Sequence, residues 1–514
     1  MKKLLSSFVL LVCVGCFIFG NIYLAYSAQA EKPQYGGVLK VISPVGTPSL
    51  VATVDITSGA QYGVTRHTIM DHLFRYDEAG NMTPELVEEF DISKDGKTMI
   101  WKLRKGVKFH DGTEFNAEAV EYHIRNMKYG ARRFANIETI DIIDSHTMRL
   151  ILKDYDSTLL WLSAYIYGEV GSPTAAKKPT TPENEARDHL IGTGPFKFVE
   201  WERDVSVKLT KFDDYWQKGK PYLEGLEFIF IKDPISASMA FQAGQAHILI
   251  GPTPQVAKDL EKKGYNILSS DSHTMYLACD GANPDSPYAD KRVRLAVEYA
   301  IDRKAISDTI GYGYTKPLTQ ICPPNLTMGH NPTIEGRPYD PGMAKKLLAE
   351  AGYSKGFETR IIAMVSDDRD ALGAIQGYLG EVGIKAKIDL ADKGRMVSMM
   401  KEGWQNALKF YMAGLDYNYA ISLNVFFDER GIYNKSMIRP PGFQDAIEDA
   451  IAEPDNDKRK EYVQKCVKIL YDEAMIVPLY TYPQIVAMQK NVHDTGLCEV
   501  GKFLWTPADT WLSK

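Results

Sequence analysis

The chain is poor in the features that mark several protein classes. Six cysteines in 514 residues are too few for a disulfide scaffold. Beyond residue 30 only Cys279, Cys322, Cys466 and Cys498 remain, with no Cys-x-x-Cys spacing. That spacing would be needed for a thioredoxin-like centre or a zinc ribbon. Four thiols allow three pairings, but a chain of this length builds its core without them, so buried free thiols are expected. Basic residues form no block, and 60 Lys and Arg against 66 Asp and Glu leave a formal charge of −6. Nucleic-acid binding needs clustered positive charge to neutralise phosphates, which sets that class aside. There is no collagen-like period, low-complexity tract or short repeat. A His-Glu-x-x-His pair, a Walker A loop and a Gly-x-Gly-x-x-Gly loop are all missing. The ten histidines are scattered, so neither a metal nor a cofactor is expected.

What is present is an ordinary globular composition, 45% apolar and 25% charged. The length suggests two or three domains of roughly 100–200 residues each. Residues 1–30 are a separate object. Lys2 and Lys3 precede an apolar run from Phe8 to Phe19, and small residues follow at Ala25, Ser27, Ala28 and Ala30. This is the pattern of a cleaved secretory signal, with cleavage after Ala30, or after Ala28 as the alternative. An uncleaved membrane anchor and a lipid on Cys13 or Cys16 are the competing readings. Lys2 and Lys3 are the only charges removed with this segment, so the mature charge falls to −8. No later apolar run approaches the roughly 20 residues of a membrane span, which points to a soluble extracytoplasmic, periplasmic protein.

The mature chain mixes strand and helix patterns. Met99, Trp101 and Leu103 alternate with Ile100, Lys102 and Arg104, Val205, Val207 and Leu209 alternate with Ser206, Lys208 and Thr210, and Gly225–Ile231 reads as a more buried strand. Asn116 caps a helix with a Val120, Ile124 and Met127 stripe. Val293, Val297, Ala300 and Ile301 form another stripe. Asp340-Pro341 starts a helix that Gly352 ends. Phe443, Ile447 and Ile451, then Val463, Cys466 and Leu470, mark two more helices, separated by Glu453-Pro454-Asp455. An α/β architecture with mixed sheets follows. His110-Asp111-Gly112 reads as a turn. Asp367-Asp368-Arg369-Asp370 lacks the Gly and Glu of a calcium loop and reads as a loop. Asp455-Asn456-Asp457 reads as a helix cap. No nucleophile–base set emerges, which favours a binding protein; an extracellular enzyme is the distant alternative.

Several segments resemble the bacterial solute-binding proteins of peptide and nickel ABC transporters, the dipeptide- and oligopeptide-binding family. They are YGGVLKV at Tyr35–Val41, the Thr83–Val120 stretch around Trp101 and Asp111, and GTGPFKFVEW at Gly192–Trp201. YWQKGKPYLEGLEF, DKRVRLAVEYAIDRKAI at Asp290–Ile306, YDPGMAKKLLAEAGY at Tyr339–Tyr353 and LGEVGIKAKI at Leu379–Ile388 follow in family order. The resemblance covers essentially all of residues 35–490. It implies a two-lobed periplasmic-binding-protein fold of three domains with a hinge. A discontinuous domain I would take 31–76, 185–278 and 495–514, domain II 77–184, and domain III 279–494. Hinges would lie near Asp280 and Gln489–Thr495. A monomer would capture a small solute between the lobes and deliver it to membrane permease subunits.

The resemblance also implies site residues. Family peptide binders hold the ligand's α-ammonium on an Asp in an Ala-Asp-Tyr segment; here AGLDYNYA places Asp416 there, with Tyr417 and Asn418 matching. Ala413 replaces the aromatic that often precedes this Asp, the Pro that usually follows is absent, and Gly46–Ile56 lacks the common Asp-Pro. Side-chain pockets are therefore expected to be remodelled. Arg369 lies where some dipeptide binders hold the ligand carboxylate, with a surface Arg as the competing reading. Trp404 and Tyr411 flank Asp416 as cleft or core aromatics. A peptide-like ligand is expected; glutathione, a short oligosaccharide or a nickel chelate are the alternatives.

Overall fold

A computed structural model describes residues 32–44, 65–77, 82–126, 134–164, 166–178, 190–431, 433–498 and 507–514. The apolar leader with Cys13 and Cys16, Met127 and Gly46–Ile56 lie outside them. Local chemistry sets most element boundaries. Met99, Trp101 and Leu103 point inward from strand Thr98–Leu103 while Lys102 is exposed. Asn116 Oδ1 accepts the Ala119 amide at 3.0 Å ahead of helix Ala117–Asn126. Asp340 accepts the Met343 amide ahead of helix Pro341–Glu350, and Gly352 follows at φ +91°. Asp455 accepts the Asp457 and Lys458 amides and opens helix Asn456–Asp472. One alternation is shifted: the strand is Ser206–Lys211, and Val205 is 47% exposed because Asp204 (φ +58°) turns the chain just before it.

The main sheet has ten strands. In spatial order they are Ile384–Ala391, Phe357–Met364, Ala407–Gly414, Asn266–Cys279, Ile476–Met488, Ile248–Ile250, Val38–Ser43, Gly225–Phe230, Ser206–Lys211 and Phe196–Glu202. Asn266–Cys279 and Ile476–Met488 pair antiparallel along nearly their full lengths. One end of this ribbon pairs Val486–Met488 with Ile248–Ile250, and the other pairs His273–Cys279 with Leu408–Gly414. The passage between the two halves of the sheet therefore lies inside these strands, at the register shift between Asp271 and His273. That is upstream of Asp280 and of Gln489–Thr495, where the resemblance put hinges.

A separate antiparallel sheet, ordered Val87–Ile92, Thr98–Leu103, Thr147–Leu152 and Ile137–Asp144, carries its own core around Trp101, Phe109 and Phe115. The second half of the main sheet is covered on both faces. Helices Lys291–Ala300, Pro341–Glu350 and Arg369–Glu381 pack on one face, and Tyr419–Phe426, Phe443–Ala452 and Asn456–Asp472 on the other. Cys279, Cys322 and Cys466 are buried free thiols within these cores, and Cys498 is half-buried with its Sγ 3.8 Å from the Gln484 carbonyl. Among the described residues no helix is long and apolar enough to cross a membrane.

Candidate functional site

Strand direction locates a cleft. Phe357–Met364 runs parallel to Ile384–Ala391 and Ala407–Gly414, and Val38–Ser43 runs parallel to Gly225–Phe230 and Ile248–Ile250. The carboxyl ends of both sets meet the crossing ribbon: Leu415 N donates to Ser272 O at 3.1 Å, and Gly251 N to Ile485 O at 2.9 Å. Loops at the carboxyl ends of parallel strands, where the sheet changes direction, form the usual crevice of α/β proteins. Here two such crevices share one ribbon.

Asp416, Tyr417 and Asn418 leave strand Ala407–Gly414 at that crossing and lead into helix Tyr419–Phe426. Asp416 is only 5% exposed. Ser422 Oγ lies 2.5 Å from Asp416 Oδ2 and 2.6 Å from the Gly414 carbonyl, so its one proton serves one of the two. Asn418 Nδ2 donates to the Ser157 carbonyl at 3.1 Å, while its Oδ1 is a buried acceptor with no hydrogen-bond donor. The Tyr417 and Tyr76 rings lie 6.0 Å apart. The turn thus sits where the second half of the molecule meets the small-sheet lobe.

Further contacts seal that junction. Ser157 N donates to Ile451 O at 2.9 Å, and an Arg459 guanidinium nitrogen to Tyr155 Oη at 3.0 Å. Ile421, on helix Tyr419–Phe426, is buried in the core of the small-sheet lobe. These contacts join the small-sheet lobe to the second half of the main sheet.

The remaining expected residues divide. Tyr411 is half-buried on the strand that leads to Asp416, its ring 5.8 Å from that of Tyr433. Trp404 precedes the amino end of this strand, away from the crossing, and is 5% exposed within the core. It packs in the core, and the eight-residue strand, at roughly 3.3 Å per residue, separates it from the turn at Asp416. Arg369 is exposed at the start of helix Arg369–Glu381 and donates to Val365 O at 2.9 Å, at the rim of the crevice. Its acidic neighbours bind backbone: Asp367 accepts the Met364 amide, and Asp368 the Asp370 and Ala371 amides. Burial pushes the Asp367 carboxyl up to about 6, against the pull of the Met364 amide and of Arg369.

Lys409 escaped the sequence reading. Its side chain is fully buried, with Nζ 4.5 Å from the centres of both the Trp404 and Tyr411 rings, and it donates to the Tyr433 carbonyl. Burial pushes this ammonium down to about 7. The available signal was a lone Lys inside the apolar run Ala407–Gly414.

The His110-Asp111-Gly112 string is structural, and so is a Gly-x-Ser-x-Gly spacing that the sequence reading missed. His110-Asp111-Gly112 is a turn with Gly112 at φ +85°, in which Asp111 accepts the Thr113 amide and the Ser172 hydroxyl. Gly352-Tyr353-Ser354-Lys355-Gly356 fits the Gly-x-Ser-x-Gly spacing, yet it joins helix Pro341–Glu350 to strand Phe357–Met364. A nucleophile elbow runs from strand to helix, the reverse order.

Residues 81–423 match the model of the family described as bacterial extracellular solute-binding proteins, family 5 Middle. The chain belongs to this family. It is 28% identical over 463 residues to the glutathione-binding protein GsiB of Shigella flexneri, covering 86% of this chain and 87% of that protein. Among solved structures, NikA from Brucella suis in complex with Fe(III)-EDTA matches with a TM-score of 0.80 at 22% identity, covering 92% of this chain and all of that one. DppA from Helicobacter pylori in complex with the peptide STSA matches at 0.78 and 24%, covering 94% and 99%. AgaA from Agrobacterium in complex with agropinic acid matches at 0.77 and 25%, covering 93% and 99%. The two-lobed fold is that of these proteins, and the family 5 chain is the solute-binding component of an ABC importer.

Proposed function

We propose that the protein captures a peptide-like solute bearing a free ammonium, peptide or glutathione, and presents it to a membrane permease after export through the cleaved segment 1–30. The observation that carries this reading is Asp416, a 5% exposed carboxylate on the turn between the lobes. A carboxylate enclosed by closing lobes is costly to desolvate alone, and a ligand ammonium offsets that cost through charge-assisted hydrogen bonds. The same turn supplies Asn418 Oδ1, a buried acceptor that lacks a donor. Ammonium carries three donors, so the Asp416 carboxylate and the Asn418 carbonyl on one turn suit it. Two of the matched proteins bind solutes of this kind: one is a glutathione-binding protein, and one holds a tetrapeptide.

A charge-assisted bond contributes about 1.5–3 kcal/mol, so Asp416→Asn weakens binding roughly ten- to a hundredfold. Titration calorimetry with free and N-acetylated forms of short peptides and of glutathione tests it. Wild type should bind free forms far better, and Asp416→Asn should discriminate less. Equal binding of both forms by wild type would remove Asp416 as an ammonium anchor and leave a ligand without an amine.

A further inference from the structure

Away from the cleft turn, three ligand-type atoms converge in a buried cluster. His72 and Glu169 face each other in an isolated antiparallel bridge, and Leu73 N donates to Gly168 O at 3.1 Å. His67 comes from the turn just upstream. His67 Nδ1 stands 2.7 Å from Glu169 Oε1 and 3.1 Å from His72 Nε2. The third side of the triangle, His72 Nε2 to Glu169 Oε1, is 3.7 Å. All three side chains are at most 2% exposed.

One proton does not satisfy this triangle. If His67 Nδ1 holds a proton toward the carboxylate, it no longer accepts one from His72. If it accepts from His72 Nε2, its lone pair faces the Glu169 oxygen. Glu169 Oε1 is buried with no well-aligned hydrogen bond, and such a group is costly. A cation at the centre serves all three lone pairs at once.

The surrounding groups are placed as they are around metal ligands. Arg66 holds Glu169 through Oε2, from Nε at 2.9 Å and from its terminal nitrogen, leaving Oε1 to project inward. Glu85 Oε2 accepts the His72 amide at 2.9 Å and lies 3.6 Å from His72 Nδ1. A carboxylate behind an imidazole favours the tautomer that presents the opposite nitrogen, and hydrogen-bonded carboxylates are the rule around metal ligands. Tetrahedral zinc with bonds of roughly 2.0–2.1 Å sets ligand atoms about 3.3 Å apart, and the three separations bracket that value. Two imidazoles and one carboxylate suit zinc over calcium or magnesium.

We propose that His67 Nδ1, His72 Nε2 and Glu169 Oε1 form a buried site for a divalent d-block cation, zinc foremost, with its fourth position open to water. The site is distinct from the solute turn at Asp416 and rests on none of the ligand assignment. The test uses untagged mature protein stripped with a chelator. Zinc chloride is offered both to the folded protein and during refolding from urea, and bound metal is counted after gel filtration. One zinc per chain and a raised melting temperature are expected. His67→Asn with His72→Gln should weaken zinc affinity at least tenfold, whereas Asp416→Asn should leave it unchanged. Substitution with Co2+ should give the intense visible bands of a tetrahedral site, a readout on wild type that stands even where the double variant fails to fold. Stripped wild type that takes up no zinc by either route, a folded double variant that keeps it, or a weak octahedral Co2+ spectrum would each overturn the site. Arg66 would then be the cluster's only counter-charge.

Discussion

The cluster around Glu169 and the ammonium of Lys409 are both charges withdrawn from water, and they are treated in opposite ways. Glu169 has the Arg66 guanidinium on one oxygen and two imidazoles near the other; burial is the largest single influence and raises its carboxyl, but Arg66 and the two imidazoles together outweigh it and hold the carboxyl down to about 2. Lys409 has two aromatic faces and one carbonyl, and burial dominates, lowering it to about 7. Ring quadrupoles and a carbonyl dipole offset only part of a desolvation cost that a full counter-charge would meet. The first region is therefore a clamp between distant chain segments. The second is a charge that the fold tolerates.

Removing one partner of the clamp has the largest expected effect. Glu169→Ala leaves Arg66 buried without its carboxylate and should cost about 3–5 kcal/mol. Urea unfolding of metal-free protein measures it, and a cost under about 1 kcal/mol would erase the contrast with Lys409.

Lys409→Met should act with the opposite sign. The native state disfavours the charged ammonium, so between pH 7 and the ordinary lysine value of 10.5 the unfolded chain binds more protons. Stability then rises with pH through that window, and the full penalty applies below pH 7. Replacement with Met should stabilise the protein by about 2–4 kcal/mol near pH 6 and flatten the rise. Unfolding curves at pH 6 and 10 that show the same stability for wild type and variant would place Lys409 among compensated charges instead.

The smallest effect is expected at the lobe junction. Tyr155→Phe removes one hydrogen bond to Arg459, worth about 0.5–1.5 kcal/mol. Since this bond exists only with the lobes together, the loss should appear as a few-fold weaker solute affinity with little change in unfolding of the solute-free protein. A variant that loses stability but no affinity would make Arg459 a structural residue like Arg66.

Legibility in the sequence followed range. Strand Thr98–Leu103, the caps at Asn116, Asp340 and Asp455, and the Asp111-Gly112 turn were readable because each depends on neighbours within a few residues. Asp416, Tyr417 and Asn418 came forward as candidates only through the family resemblance, since a lone Asp before a helix also reads as a turn or cap. For Trp404 the sequence left cleft and core open, because nearness in sequence to Asp416 does not show that an extended strand carries the two apart.

The sequence by itself determined the alternating and helical periods, the caps and turns, and the family to which they belong, because these are short-range steric and hydrogen-bonding preferences repeated along the chain. Tertiary structure alone decided the rest. It set the ribbon crossing at Asp271–His273, the meeting of Asn418 with Ser157 and of Arg459 with Tyr155, and the enclosure of Lys409 between two rings. It also brought Glu169 to His67 and His72 from about a hundred residues away. Each of these is a contact between segments with no local preference for one another. Sheet pairing and burial bring them together, and the charge or lone pair they carry acquires its meaning only once water has been excluded.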